Sequence, residues 1–283
     1  MRKSNQDIVI SIFVLLSFCR PALAVDAKAR ELVAKHLQSL GTSDARSTLK
    51  SRVIEGSATY RVLVGGSGAI DGRAVFASEG QKLNLILKIN TVEYRGEQFI
   101  SDGNKTFTAG TYSDKSRSEF GGFLRGEDII LREGLLGGAW STGWALSDTA
   151  VRNANLKYAG RKNVDGRELE AIAYQPKKST DLEITLFFDP ETSQHVMTTY
   201  KASMQAGIAA TDVDTPRLQP TRYRIEERFS EFQTADAFTL PSRYDLRFTE
   251  ELGSGFTKTV EWEVKANKIL TNVTLDPRNF EIK

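Results

Sequence analysis

Residues 164–201 read VDGRELEAIAYQPKKSTDLEITLFFDPETSQHVMTTYK, and this stretch decides the fold. Its middle segment places an apolar side chain at every second position, at Leu182, Ile184, Leu186 and Phe188. A period of two is typical of a β-strand with one buried face. A turn follows at Asp189-Pro190, because proline fixes φ and aspartate bonds its own backbone. The stretch therefore predicts a meander of three antiparallel strands.

The two outer strands of this meander are divided into faces by the same rule. In residues 167–174 we expect Leu169, Ala171 and Ala173 on the apolar face and Ile172 on the mostly polar face. The third strand is divided into Val196, Thr198 and Tyr200 on one face and His195, Met197 and Thr199 on the other.

The same alternation extends over most of the chain. Residues 82–90 place Leu83, Leu85 and Leu87 on one face, and the last strands are predicted at 257–265 and 269–275. Residues 26–40 instead repeat apolar side chains at intervals of three and four, which predicts an amphipathic helix ending at Gly41. We predict a mainly β fold of about ten or eleven antiparallel strands with an N-terminal amphipathic helix.

Two segments interrupt the strands. Between Ser118 and Trp144 the apolar residues fall at helical spacing and are accompanied by several glycines. Glycine costs about 1 kcal/mol relative to alanine inside a helix, so we expect one or two short, loosely held helices there. The second interruption, from Met204 to Pro220, is predicted to be a long mobile loop.

The first 24 residues have the pattern of a secretory signal. Arg2 and Lys3 precede an apolar run at 8–18, and an Ala-Leu-Ala cleavage site ends at Ala24. The run is shorter than the roughly 20 residues that a spanning helix needs. We expect export to the periplasm and a single domain over residues 25–283.

Charge and cysteine content narrow the class of protein further. Removal of the signal takes three of the 38 Lys and Arg and one of the 36 Asp and Glu, which leaves 35 of each. This balance argues against a nucleic-acid partner. The only cysteine, Cys19, lies in the signal, so we expect no disulfide. A lipoprotein interpretation would keep an acylated Cys19, although Phe18 stands where a small residue normally precedes that cysteine.

A search for catalytic or metal-binding motifs returns little. His36 and His195 lie outside any metal-ligand spacing, and we expect both to be surface or partly buried histidines. The pair Glu226-Glu227 is expected on opposite faces of a strand, and Glu261 and Glu263 on a solvated face. We therefore predict no catalytic residues, no metal and no cofactor.

A sheet of this size has more apolar surface than the predicted helices can cover. Each buried large apolar side chain contributes roughly 1.5–3 kcal/mol, so the sheet is expected to curl into a barrel or around helices. Residues 120–144 are the obvious plug. If the plug can be displaced, the curved sheet becomes a trough for a long apolar ligand, while the alternative is that the same side chains are ordinary core.

The order of elements resembles that of the outer-membrane lipoprotein-sorting proteins of the LolA/LolB-like superfamily. The matching stretches are His36-Leu37-Gln38-Ser39-Leu40-Gly41 before Ile54-Glu55-Gly56, the turn and strand at 100–107, the segment 186–192, and Phe238-Thr239-Leu240-Pro241. The resemblance covers nearly all of residues 25–283. It implies a half-open β-barrel with helical lid insertions. This chain is longer than the well-studied carriers, chiefly at 120–144 and 204–220.

In that family a concave apolar surface shelters acyl chains of a lipid or lipoprotein. The resemblance implies that the corresponding ligand-binding residues here are Leu83, Leu85, Leu87, Phe120, Phe123, Leu124, Ile130, Leu131, Trp140, Trp144, Leu182, Ile184 and Leu186.

The sequence thus favours a monomeric periplasmic carrier or sensor of acyl chains. An envelope protein is a possible second partner, and transient contact with a membrane is compatible with this role. The alternative is a protein-interaction module with a closed core and no lipid ligand. A hydrolase of envelope lipids is a further alternative, but it lacks a histidine-centred motif.

Overall fold

The structure, a computed structural model, describes residues 26–113, 116, 118–204 and 220–282. The signal at 1–24 and residues 205–219 of the predicted long loop lie outside the described residues. The helices are α1 (Ala27–Leu40), α2 (Ser43–Thr48), α3 (Glu119–Gly126), α4 (Ile129–Arg132) and α5 (Thr149–Arg152), with 3-10 turns at Gly138–Trp140 and Pro277–Phe280. None of the described helices is long and apolar enough to cross a membrane.

Twelve strands form the described sheet. They are β1 (Ser51–Val64), β2 (Ala69–Glu79), β3 (Lys82–Ile89), β4 (Gly96–Ser101), β5 (Thr106–Gly110), β6 (Asn155–Val164), β7 (Arg167–Gln175), β8 (Glu183–Phe188), β9 (His195–Met204), β10 (Thr221–Ala235), β11 (Phe238–Glu251) and β12 (Thr257–Thr271). Their spatial order is β5-β4-β3-β2-β1-β12-β11-β10-β9-β8-β7-β6, with antiparallel pairing throughout.

The sheet is open because β5 and β6, its two edge strands, do not pair with each other. The predicted mainly β, half-open fold with helical insertions is therefore confirmed, although the described strands number twelve rather than ten or eleven. The two strands predicted at 257–265 and 269–275 are one continuous strand, β12. It pairs with β1 along its length, and the pairing is irregular at Gly56. A Cβ atom on Gly56 would lie 2.2 Å from the Lys265 carbonyl oxygen.

The predicted division of faces is correct for β8 and partly wrong for its neighbours. Ile172 of β7 lies opposite Leu186 and belongs to the main core, whereas Leu169 and Ala171 join a smaller apolar cluster on the other face with Phe187. The pairing between β8 and β9 shifts by one residue: Phe187 pairs with Met197, but Phe188 pairs with His195. His195 therefore faces the main core with Thr198 instead of lying beside Met197, because one extra residue in a strand reverses the side-chain alternation.

The main core lies on the concave face, which is occupied by residues 118–144, referred to below as the plug. The predicted short helices are confirmed as α3 and α4. They are not loosely held, since Phe120, Leu124 and Ile130 expose 1% of their surface or less. Tertiary packing against the curved sheet outweighs the low helix propensity of the glycines.

The predicted N-terminal amphipathic helix is confirmed as α1. Asp26 caps it by accepting a hydrogen bond from the Lys28 backbone N–H, and its other carboxylate oxygen accepts from the Tyr158 N–H of β6. Ala29, Leu32 and Leu40 of α1 are buried in the main core. The helix thus covers one part of the concave face beside the plug.

The opposite, convex face of β10 to β12 and β1 carries a network of ion pairs. Arg61 contacts Glu263 at 2.8 Å, Arg247 contacts Glu261 at 2.7 Å, and Arg243 bridges to Glu263 at 2.9 Å. Glu261 and Glu263 lie together on the outer face as predicted, but they are not solvated: their side chains are 13% and 12% exposed because arginines cover them.

Candidate functional site

The candidate site is the interface between the plug and the concave face of the sheet. Six of the thirteen predicted ligand-binding residues come from the sheet side, where Leu83, Leu85 and Leu87 lie on β3 and Leu182, Ile184 and Leu186 on or next to β8. The other seven lie on the plug. All thirteen belong to one hydrophobic cluster, and none exposes more than 7% of its surface. The structure brings these residues together with the plug seated among them.

The first part of the plug is held by aromatic packing. The ring of Phe120 lies 5.0 Å from that of Trp262 and 5.3 Å from that of Phe99. The ring of Phe123 lies 5.0 Å from that of Tyr223. These edge and tilted contacts contribute about 0.5–1.5 kcal/mol each beyond the area that they bury.

The later part of the plug is held by buried polar contacts as well. Trp140 packs 4.8 Å from the ring of Phe76, and its indole N–H donates to the Pro241 carbonyl oxygen at 2.7 Å. Arg52 donates from Nη1 to the Ala139 carbonyl oxygen at 2.6 Å while its guanidinium lies 4.8 Å from the centre of the Phe238 ring. Burial lowers the pKa of Arg52 to about 10.

Glu227 is the most unusual of these anchors because it is a fully buried carboxylate on the concave face. It accepts hydrogen bonds from the hydroxyls of Tyr200 at 2.5 Å and Tyr244 at 2.7 Å, and from the backbone N–H of Gly137 in the plug at 2.6 Å. Desolvation raises the pKa of Glu227 to about 7, and the three hydrogen bonds oppose that rise only in part. The carboxyl group therefore changes charge near neutral pH while it holds the plug.

Gly137 is required at this anchor for two reasons. Its φ of 79° lies in the left-handed region, and a Cβ there would stand 2.7 Å from the Phe76 ring. A larger residue would therefore move the N–H away from Glu227 or displace the aromatic wall.

The two histidines are fully buried, so the prediction that they are surface or partly buried residues is wrong. His36 Nε2 accepts from the indole N–H of Trp144 at 3.2 Å, which leaves Nδ1 to donate to the Ser193 carbonyl oxygen at 3.2 Å. The ring of His195 lies 4.9 Å from that of Trp144. Burial lowers the pKa of His36 to about 4 and that of His195 well below its usual value. Both rings thus act as neutral partners of the plug.

Open space lies mainly at the rim of the half-barrel. Of the thirteen predicted residues, only Phe120 and Trp144 line any of the larger cavities found among the described residues. The largest cavity, about 550 Å³, opens between the β3–β4 connection, the start of α3, and strands β1 and β12. We call it the rim cleft. No group of three or more histidine, cysteine or acidic side chains within the described ranges is arranged to hold a metal ion.

Sequence reasoning missed Glu227, Arg52 and the buried roles of the histidines. For Glu227 a signal existed, since Ile225, Glu227 and Phe229 alternate along β10 and all three share the buried face. An acid in the apolar register of a long strand indicates a buried partner. The partners themselves are distant in sequence, and only the folded sheet brings them together.

Comparison with known proteins returns structural matches alone. No protein-family model and no curated protein matches the sequence. A LolA superfamily protein from Nitrosomonas europaea matches with 11% identity and a TM-score of 0.47, covering 90% of this chain and 97% of that one. An outer-membrane lipoprotein-sorting protein domain from Vibrio parahaemolyticus matches with 7% identity and a TM-score of 0.45, covering 89% and 97%.

A third match is the Pseudomonas aeruginosa protein MucB in its complex with MucA, with 9% identity, a TM-score of 0.26, and coverage of 88% of this chain and 100% of that one. The first two matches name the family that the sequence resembles. At these identities and TM-scores, the matches carry no conclusion about ligand or partner.

Proposed function

We propose that this protein binds the acyl chains of a lipid or lipoprotein on the concave face of its sheet, in the space that the plug fills when no ligand is bound. The observation that carries the proposal is the connectivity of the plug. It lies in sequence between β5 and β6, which are the two edges of the sheet. Moving the plug out of the trough therefore breaks no strand pairing and exposes a continuous apolar surface.

The energetics of such an exchange are close to balanced. The ten large apolar side chains that the plug buries, the seven named above with Ile129, Leu135 and Leu136, contribute roughly 15–30 kcal/mol of transfer free energy at about 1.5–3 kcal/mol each. Two acyl chains of about 16 carbons return roughly 20–25 kcal/mol at about 0.8 kcal/mol per methylene. A ligand of this class offsets the loss of plug contacts, whereas a short apolar molecule does not. Acyl chains are thus a better match to the trough than small ligands.

The proposal places the mature protein in the bacterial envelope. We propose that residues 1–24 are removed on export, that residues 25–283 form one domain, and that the protein acts in the periplasm as a monomer without covalent chemistry. A lipoprotein, a lipid or an envelope protein that presents acyl chains is its expected partner, and transient contact with a membrane would accompany loading.

The three tryptophans allow a direct test because Trp140, Trp144 and Trp262 all belong to the concave cluster. Fatty acids and diacyl lipids brominated along the chain quench tryptophan fluorescence at contact. We expect quenching by long brominated chains, little quenching by short ones, and co-purifying acyl lipid in a solvent extract of the mature protein.

A double variant, Phe123→Glu with Leu131→Glu, should lose lipid uptake because it places charges in the trough. The matched control is Val64→Glu with Phe256→Glu, since those side chains are 46% and 51% exposed and line none of the larger cavities described above. If circular dichroism shows that the first variant is unfolded, quenching of the parent protein by brominated lipids still tests whether acyl chains bind. A folded parent that yields no lipid and shows no quenching by long chains would rule out the carrier.

A closed core favours the second candidate, a protein-interaction module. The plug fills the concave face, and the larger cavities among the described residues lie at the rim. In this alternative the plug never leaves, and the partner is an exported protein domain bound on the outer surface. Absence of quenching together with stoichiometric capture of one envelope protein would establish it.

A further inference from the structure

The rim cleft has a distinct wall of aromatic side chains. Tyr60 of β1 lies 4.6 Å from Tyr94 and 5.5 Å from Trp262 of β12, measured between ring centres. The Trp262 indole N–H donates to the Tyr94 hydroxyl at 3.1 Å, which fixes the orientation of both rings. Tyr60 and Tyr94 are partly exposed and line the cavity. Faces of such rings attract organic cations by about 0.5–2 kcal/mol.

A buried acid lines the same cleft. Glu97 of β4 exposes 1% of its surface and makes no ion pair with any residue that the structure describes. The hydroxyls of Ser116, Ser118 and Tyr94 surround its carboxyl group, yet its Oε2 lacks a hydrogen bond of regular geometry within the described chain. A buried carboxylate without a cation is unfavourable, and a bound cation would lower that cost.

The basic side chains around the cleft that the structure describes are already in contact with other groups. Lys258 contacts Glu119 at 2.9 Å, and Arg125 donates to the Thr108 hydroxyl and the Ser116 carbonyl oxygen. Arg95 lies 5.4 Å from the centre of the Tyr112 ring. Burial raises the pKa of Glu97 and the charge of Arg125 opposes that rise, but among the described residues no cation contacts the Glu97 carboxylate directly.

We propose that the rim cleft binds an organic ammonium group, with the cation held by the partly exposed Tyr60 and Tyr94 rings, which the buried Trp262 orients, and its charge offset by Glu97. The cleft volume of about 550 Å³ is in the usual range for a small-molecule site. Two sources share this chemistry, a free alkylammonium compound and the headgroup of a zwitterionic lipid. The inference does not depend on plug displacement, because the cleft is open while the plug is seated.

The electrostatics of the wall agree with this assignment. Desolvation first, and then the charges of Glu119 and Glu97, raise the pKa of the Tyr60 hydroxyl to about 12. Desolvation and Glu97 likewise raise the pKa of Tyr94. When ionised, the acids create a negative potential at the hydroxyls of the ring wall, where a cation is favoured. Burial raises the pKa of Glu97 itself, and a bound cation would oppose that rise.

The first experiment is calorimetric titration of the mature protein with choline, with its neutral isostere 3,3-dimethylbutan-1-ol, and with dihexanoylphosphatidylcholine below its micelle concentration. Binding of choline and of the lipid assigns a site for free ammonium compounds. Binding of the lipid alone, with weaker binding of a lipid that lacks the ammonium group, assigns a headgroup site. Failure of both ligands to bind, or equal binding of the neutral isostere, overturns the proposal.

Matched variants test the residues. Tyr60→Leu removes a ring and Glu97→Gln removes the charge, and each should weaken binding about tenfold. Tyr60→Phe keeps the ring and should stay within about twofold, as should Glu191→Gln in the exposed turn after β8 at the other end of the sheet. Thermal unfolding of each variant checks the fold. Unchanged binding by folded Tyr60→Leu and Glu97→Gln overturns the assignment even if choline binds.

Discussion

The two halves of the plug are held in different ways. The first half, residues 118–132, packs through Phe120 and Phe123, and its ion pair between Glu119 and Lys258 is partly exposed beside the rim cleft. The second half, residues 135–144, adds buried hydrogen bonds to Glu227, Arg52 and Pro241. Leaving a buried polar group without its partner costs about 1–3 kcal/mol, so the second half is the stronger anchor. We infer that opening begins at α3.

The largest effect is expected from Trp140→Ala in the second half. The indole is 1% exposed, packs on Phe76 and Tyr244, and holds the Pro241 carbonyl. Removing a buried tryptophan typically costs about 3–5 kcal/mol. Urea unfolding measures the change, and Phe256→Ala, at a 51% exposed ring, is the control and should shift stability by less than about 0.5 kcal/mol. If Trp140→Ala lowered the free energy of unfolding no more than Phe256→Ala does, the second half of the plug would not be the stronger anchor.

A pH-dependent effect is expected from Glu227→Gln. Because the pKa of Glu227 is raised to about 7 in the folded protein from 4.5, the folded state keeps a proton that the unfolded state loses as pH rises between these values. The free energy of unfolding contributed by this group is therefore fully present below pH 4.5 and falls by about 3 kcal/mol as pH rises through 7.

Glutamine does not titrate, so the stability of the parent relative to Glu227→Gln should decline across that pH range. His36 and His195, whose lowered pKa values act in the opposite direction, are present in both proteins and cancel. Glu168→Gln, at an exposed position of β7, is the control and should follow the parent. Parallel stability curves for parent and Glu227→Gln would contradict a titrating anchor.

The smallest effect is expected from Lys258→Met in the first half. Its ion pair with Glu119 is 31% and 46% exposed on the two side chains, and pairs of this kind contribute about 0.2–1 kcal/mol. Global stability should change by no more than that, while hydrogen exchange of the α3 amides should become faster. Faster exchange at 137–144 instead would reverse the order of opening that we infer.

The sequence was most informative where alternation was strong. Leu182, Ile184 and Leu186 were placed on the buried face because a pleated strand turns successive side chains to opposite sides. The face of His195 was misassigned because a single extra residue in β9 inverts that rule, and nothing local in the sequence marks it. Glu97 in the rim cleft was not predicted for another reason: Tyr94, Ser116 and Ser118 surround its carboxyl group only once β4 and the start of the plug are folded together.

By itself the sequence determined the meander, the helix α1 and the apolar content of the plug. It also predicted the number of strands in the sheet to within one or two. These follow from local periodicity, which is a property of neighbouring residues. Only the tertiary structure decided that the plug is tightly seated, that Glu227 meets Gly137 from 90 residues away, and that Tyr60, Tyr94 and Trp262 form one wall. Burial and unpaired charge depend on how distant strands converge, and that convergence is set by the curvature of the whole sheet.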